Sequence, residues 1–390
     1  MPCRASCSTE ASTRTTTACG GSRRRGSARC RGCGWTRRCR TGRLFMVLAR
    51  FAAAVSGGSL LVALGLLRLG ATASVLVLAW AVPVIARRLG TDPVRAVWLG
   101  FLTPLVGMHL VAGAHNDALM IAAMVAAVAL ALQGRHGWAC LAIAAAMAVK
   151  APAAVAMPFV AILAAVDHRG SMTHPGMPTL GMPLGMRRLA LRTVVAGAAS
   201  CVAFVVISLV TGLGFSWVNS LSEPGKSIQW TSLPTGIGMG IGFVGTLFGH
   251  NVEDGAVSVA RTVALVALGI ALVWIWVRAL RRAQDRRFVV VCAGQALVAF
   301  IVLSPAFHAW YLLWALPLFA ASVTDRRWQT VLAGLATLMA VSILPGGYSL
   351  GLVTSWVGVP LCFVALGAGV VYGWRWIQAQ RSRVSARHTV

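Results

Sequence analysis

The sequence predicts an all-α, polytopic membrane protein with about eleven transmembrane or half-membrane helices. Three observations predict it. The 390 residues are 58% hydrophobic and only 11% charged, whereas an ordinary soluble domain carries roughly 25% charged residues. Mean hydropathy is +0.77. Apolar runs close to the length a bilayer-spanning helix needs, about 20 residues, follow one another along most of the chain. The net charge of +26 raises nucleic acid as a partner. A nucleic-acid binder spreads its basic residues over a solvated surface. Here they cluster in short gaps between apolar runs, so no nucleic-acid partner is expected.

The segments are taken in order. Residues 1–43 are atypical: six of the ten cysteines, eleven arginines and one acid, Glu10. They show no period of 2 or 3.6, so neither strand nor amphipathic helix is indicated. A zinc site would need a second Cys or His pair beside Cys30 and Cys33. A disordered basic tail touching anionic lipid is a second reading. The preferred one is a segment translated out of frame. Residues 44–56 suit a helix lying at the membrane surface, with Arg50 turned to the headgroups. Apolar runs then fall at 57–86, 94–113, 116–133, 137–150, 151–166, 188–212, 256–279, 287–304, 309–323, 328–345 and 351–374. The fourth and fifth are short and meet at Lys150-Ala151-Pro152, where the proline breaks the helix. Residues 167–186 read as a flexible connection, 211–254 as a long loop, and 377–390 as a basic cytoplasmic tail.

Orientation follows from the basic connections. Arg87-Arg88, the Arg135 turn, 169–192, 278–287, Arg326-Arg327 and the tail from Arg375 all fall on one side with eleven segments. That side is expected to be cytoplasmic. The alternate connections are poor in basic residues and are expected to face outward.

Polar groups at membrane depth are costly, so each is a functional hypothesis. His115-Asn116-Asp117 opens a helix at an outer turn; it reads either as a helix cap or as the lining of a site. Lys150 is the only lysine between Arg43 and Gly225. At a broken helix it suits a phosphate partner, against the plainer reading of snorkelling to the headgroups. Trp230, in the long loop, reads as a sugar-stacking platform or as a member of an interfacial belt. His308 opens an aromatic cluster with Trp310 and Tyr311. His109 faces either the same cavity or a neighbouring helix. Arg68 lies inside a long segment, where an internal partner is expected. Together these groups suit a lipid-linked, phosphorylated, polar substrate. No cluster has metal-ligand spacing, so neither metal nor other cofactor is expected.

The strings GAHNDALM (113–120), AVKAPAAVAMPF (148–159), SPAFHAWYLLWALPL (304–318) and RRLGTDPVRAVWLGFLTPLVGMHLV (87–111) resemble the actinobacterial polyprenol-phosphomannose-dependent α-1,6-mannosyltransferases of the GT-C superfamily. The resemblance implies a GT-C-like fold over 44–376. It implies mannose transfer, with inversion, from a polyprenyl-phosphate mannose donor to a lipid-anchored α-1,6-mannan acceptor of lipomannan and lipoarabinomannan synthesis. Transfer would take place on the extracytoplasmic face of the cell membrane, among membrane lipid. Lys150 would hold phosphate, and Asp117 a sugar or acceptor hydroxyl. The family's catalytic acid is expected in a loop upstream of Leu44, where this sequence has only Glu10. The chain as written is therefore expected to be impaired, with the catalytic base unassigned and Asp117 the one substitute nearby. The competing class is a secondary transporter or lipid flippase for a polyprenyl-phosphate-linked substrate. A charged helix break also marks transporter sites, but no internal repeat is visible.

Overall fold

The computed structural model describes residues 43–166, 182–211, 228–342 and 354–385. These residues are helical, with no strand among them. The atypical segment 1–42, most of the connection at 167–186 and the last five residues lie outside them.

An amphipathic helix α1 (Arg43–Val55) turns through Gly57 and Gly58, both at positive φ (56° and 88°), into the long helix α2 (Leu60–Arg88). Only glycine takes that pair of conformations without strain. Ser59 caps α2 by accepting from the Val62 N–H. The next span is broken into α3 (Pro93–Gly100), capped by Asp92, and α4 (Pro104–Ala112), bent 46° from it. Pro104 cannot continue the ladder of α3. Gly107–Ala112 closes α4 with wider π-helical turns. Then come α5 (Asp117–Leu132), α6 (His136–Val149), a 3₁₀ turn (Ala151–Val155) and α7 (Met157–Ala165). Helices α8 (Met182–Val210), α9 (Leu233–Leu247), α10 (Glu253–Arg281), α11 (Arg286–Leu303), α12 (Leu312–Ser322), α13 (Arg326–Val341) and α14 (Ser355–Ser385) complete the order. Helix α14 thus runs on into residues read from sequence as the basic tail.

Among the described residues, five helices are long and apolar enough to cross a membrane, or six with α3 and α4 counted as one bent span. The remaining apolar runs form shorter helices of 10–17 residues. This gradation in length is the main architectural fact. At about 1.5 Å per residue, α2 and α10 are about 43 Å long, while α5, α6 and α12 reach about 24, 21 and 16 Å. The core gathers around α5, thirteen of whose sixteen residues are buried. Its alanines let α2, α6 and α7 pack close on it; small residues serve this purpose wherever lipid supplies no hydrophobic drive for helices to associate. Leu, Val and Phe side chains on α2, α8, α10 and α14 stay exposed, as lipid-facing surfaces do.

One sequence expectation is corrected. The long loop read at 211–254 contains α9, residues Leu233–Leu247. Its glycines were the misleading signal. Gly238 and Gly242 lie against Val257 and Glu253 of α10, and Gly236 and Gly240 against Cys362 and Phe363 of α14. In this setting glycine is a means of close approach on two sides, not a loop residue. The loop residues 212–227 lie outside the described ones.

Candidate functional site

Three chain segments meet at the N-terminal end of α5. The first is the turn between α4 and α5. Asn116 occupies the N-cap position of α5, yet no side chain caps the helix. The capping reading of His115-Asn116-Asp117 is therefore not what these side chains do. Asp117, 1% exposed, turns its carboxylate inward.

The second segment is the break at Lys150. The backbone there is extended (φ −159°, ψ 131°) between α6 and the 3₁₀ turn begun by Ala151-Pro152. This breaks the helix and sends the lysine side chain across to α5. Lys150 Nζ donates to both Asp117 oxygens at 2.9 Å. The ammonium sits 5.4 Å from the Tyr311 ring centroid and 5.5 Å from that of Trp314. The third segment supplies these rings. Trp314 Nε1 donates to Asp117 Oδ1 at 2.8 Å, and Tyr311 stacks on Trp314 at 4.0 Å. Asp117 thus accepts three hydrogen bonds, two of them charge-assisted. A buried carboxylate survives only with such partners.

Around this ion pair lies a second, aromatic group. Trp310 stacks with His115 at 4.4 Å and with His308 at 4.5 Å, the latter with rings parallel to 1°. Both rings thus stack on one indole. His109 lies 5.4 Å from Trp310 and 6.0 Å from His115. His308 meets Tyr311 edge-on at 5.1 Å, joining the two groups. Burial pushes the His115 imidazole below its ordinary value of 6.5; the Lys150 charge acts in the same sense and Asp117 against it. His115 is therefore neutral near neutral pH.

The turn carrying His308 is held by the start of α9. Ser232 Oγ donates to the Ser304 carbonyl at 2.8 Å, and Thr235 Oγ1 to that of Pro305 at 3.0 Å. Arg261 of α10 donates through Nε to Thr235 Oγ1 at 3.0 Å.

The structure thus brings together His115, Asp117, Lys150 and His308 in one connected network, with Asn116 in the same turn. It places the indole of Trp230 elsewhere, packed on Gly358 of α14. His109, left open from sequence between the same cavity and a neighbouring helix, joins the network, as does Trp314, which was not singled out from sequence as a site residue. Trp310 and Trp314 are four residues apart, one helical turn, which was the available signal for Trp314. Arg68 is exposed on α2 and has no ion-pair partner among the described residues. No group of three or more metal-binding side chains occurs among the described residues. An apolar cavity of about 800 Å³ lies between α9 and α10, with Leu303 and Leu366 on its wall.

An all-helical, multi-pass membrane protein with a buried ion pair and an aromatic cluster where its short helices end is the class that fold and site define. Residues 39–166 match the family model for the alpha-(1->6)-mannopyranosyltransferase N-terminal domain, and residues 234–383 that for the MptB C-terminal domain. The chain belongs to the alpha-(1->6)-mannopyranosyltransferase family. It is 32% identical over 307 residues to alpha-(1->6)-mannopyranosyltransferase A of Mycobacterium tuberculosis, covering 78% of this chain and 57% of that one. With alpha-(1->6)-mannopyranosyltransferase B of Corynebacterium glutamicum it shares 26% identity, over 73% of this chain and 47% of the relative. With the A enzyme of the same organism it shares 28%, over 57% and 45%. The chain spans about half the length of the curated relatives it matches. No solved structure matches it.

Proposed function

We propose that the chain transfers mannose from polyprenyl-phosphate mannose to an α-1,6-linked mannan acceptor, with inversion, at the extracytoplasmic face of the cell membrane. Its fold on this reading is GT-C-like, and it serves lipomannan and lipoarabinomannan synthesis. One observation carries the proposal beyond family membership. Three separately placed strings, around Asp117, Lys150 and His308, converge on a single polar network at the ends of the short helices. A purely structural ion pair needs no such surround.

Lys150 is the phosphate ligand in this reading. Its side chain is 21% exposed, against 2% for Asp117. Two of its three N–H donors serve Asp117, leaving one donor and part of the charge for a phosphoryl oxygen. Asp117 is a positioning residue. Tied to Lys150 and Trp314, it is poorly placed to take the acceptor's proton, and the base stays unassigned. The apolar cavity beside α10 would house part of the polyprenyl chain. Leu303 on its wall directly precedes the turn that carries His308.

The test is transfer of radiolabelled mannose from polyprenyl-phosphate mannose to a short α-1,6-mannoside, in membranes containing the full chain. A second sample carries the first loop of a relative, fused in frame upstream of Leu44. Transfer by either sample supports the reading, and transfer only by the fusion supports the impairment expected from sequence. No transfer by either, with both folded, would overturn it.

A further inference from the structure

Among the described residues, nothing satisfies two buried polar atoms of this site, one on His109 and one on Trp310. His109 is 5% exposed, and its Nε2 is buried without a partner. The Nε1 of Trp310 is likewise buried and unpartnered. Their rings lie 5.4 Å apart. Alongside, the Asp117 carboxylate is engaged by Lys150 and Trp314, and two of the three Lys150 donors serve it. Buried donors and acceptors without partners are rare because each forfeits its hydration for nothing. Two of them on neighbouring rings, beside an ion pair whose carboxylate is already engaged, mark a place where a ligand atom completes the bonding.

The backbone points the same way. His109 lies on the π-helical turns that end α4, a geometry that recurs at functional sites. The chain then doubles back so tightly that a Cβ on Gly113 would lie 2.8 Å from the His109 carbonyl and 3.0 Å from the His115 ring. Ala114 takes a positive φ of 45°, a strained value for a residue with a side chain. This turn sets His109 and His115 beside one indole.

The chemistry of the two atoms narrows the ligand. An indole N–H only donates, whereas an imidazole nitrogen accepts or donates according to its tautomer. With Nε2 as the unprotonated nitrogen, the two rings offer one donor and one acceptor, the complement of a hydroxyl group, which does both. A phosphate would ask for donors alone, and an apolar group would leave both atoms orphaned. Since His115 and His308 already stack on Trp310, a sugar meets this tryptophan through its unpartnered N–H. We propose that His109 and Trp310 form a hydroxyl-binding subsite for a hexose, distinct from the phosphate position at Lys150. The proposal rests on the mannosyltransferase reading, which supplies the class of ligand.

The test uses the full chain in lipid nanodiscs with methyl α-D-mannoside as probe, read by calorimetric titration and by ligand-induced thermal shift. Wild type is expected to bind the sugar. His109→Leu and Trp310→Phe each weaken binding about ten-fold, the loss of one hydrogen bond to the ligand. His109→Gln, which still places a donor or acceptor at similar reach, stays within about three-fold. Sugar-free His109→Leu is no less heat-stable than wild type, because it removes an unsatisfied atom. Should His109→Leu fail to fold, Trp310→Phe and His109→Gln carry the comparison. Unchanged affinity in both deletion variants overturns the subsite, and so does a wild type that ignores the sugar, whose orphan atoms then hold water only. Normal mannose transfer with an unaltered acceptor KM in both variants sinks the subsite and leaves the transferase standing. Transfer absent from both the chain and the fusion, with intact, His109-dependent sugar binding, does the reverse.

Discussion

At the residue scale, the ion pair decides how Lys150 and Asp117 are to be understood. From sequence they were separate ligands, one for phosphate and one for hydroxyls. In the fold each is the other's main partner, so neither can be changed alone without leaving a charge unpaired. Lys150→Met leaves the Asp117 carboxylate buried with Trp314 only, and is expected to cost about 3 kcal/mol of stability. The double variant Asp117→Asn, Lys150→Met removes both charges and is expected to recover most of the loss of thermal stability, while donor binding remains abolished. Recovery of donor binding in the double variant would exclude the phosphate role. His115 provides a pH signature. Its folded value is lowered, chiefly by burial, so the unfolded chain takes up the proton first. Stability is therefore expected to fall as pH drops below the unfolded value of 6.5, until the lower folded value is passed. Thermal unfolding at about pH 7.5 and about pH 5 should show this drop in wild type, and a smaller one in His115→Gln. Equal drops would mean that another group governs it; His109, His308, Asp117 and Lys150 are the neighbours.

At the element scale, α9 is the part that tertiary contacts made visible. Five glycines in fifteen residues (Gly236, Gly238, Gly240, Gly242 and Gly245) read as a loop. They form a helix because two neighbours approach on different sides, each at a distance no side chain would permit. The same helix begins with the hydroxyls that hold the turn at 304–308, so its position is transmitted to His308. A Cβ at Gly238 would overlap the backbone of Val257. Gly238→Ala is expected to destabilise the protein by about 1–3 kcal/mol through overpacking. Gly269→Ala, on α10 with nothing within 4 Å, is expected to be neutral or mildly stabilising, since alanine is the better helix former. Purified variants compared by thermal unfolding decide it; equal effects would count against the close approach as the reason for the glycine.

For the whole molecule, helix length and charge spacing place the site relative to the bilayer. Arg68 lies twenty residues before Arg88 on α2, and Arg261 twenty before Arg281 on α10. At about 1.5 Å per residue each interval is about 30 Å, the thickness of the hydrocarbon core. On the proposed orientation both arginines would lie at the outer headgroup level, where Arg68 would need no internal partner. Helices α5 and α6, at about 24 and 21 Å, stop short of that level. On the function proposed above, the Asp117–Lys150 pair at their ends would lie in a depression below the headgroups. In a background stripped of native cysteines, Asn251→Cys is expected to react with a membrane-impermeant maleimide on intact cells, and Gln284→Cys only after permeabilisation. Both positions are exposed, and they lie just beyond opposite ends of α10. The reverse pattern would invert the orientation and move the site to the cytoplasmic face.

Composition and run length determined the helical, membrane-embedded class, because a chain this apolar has nowhere but lipid to place its side chains. A local rule gave one break as well: Lys150-Ala151-Pro152 ends α6, because proline lacks a donor and clashes with the preceding turn; the break at Pro104, inside a run read as continuous, has the same cause but emerged only in the structure. The polar strings around Asp117, Lys150 and His308 stood out for a related reason, since polar groups are rare where they are expensive. Tertiary structure decided the pairing. It made Asp117 and Lys150 one unit, brought in Trp314 and His109, sent Trp230 to α14, and turned a glycine-rich stretch into a packed helix. Those outcomes depend on which surfaces meet across tens to hundreds of residues, and local propensity holds no record of that.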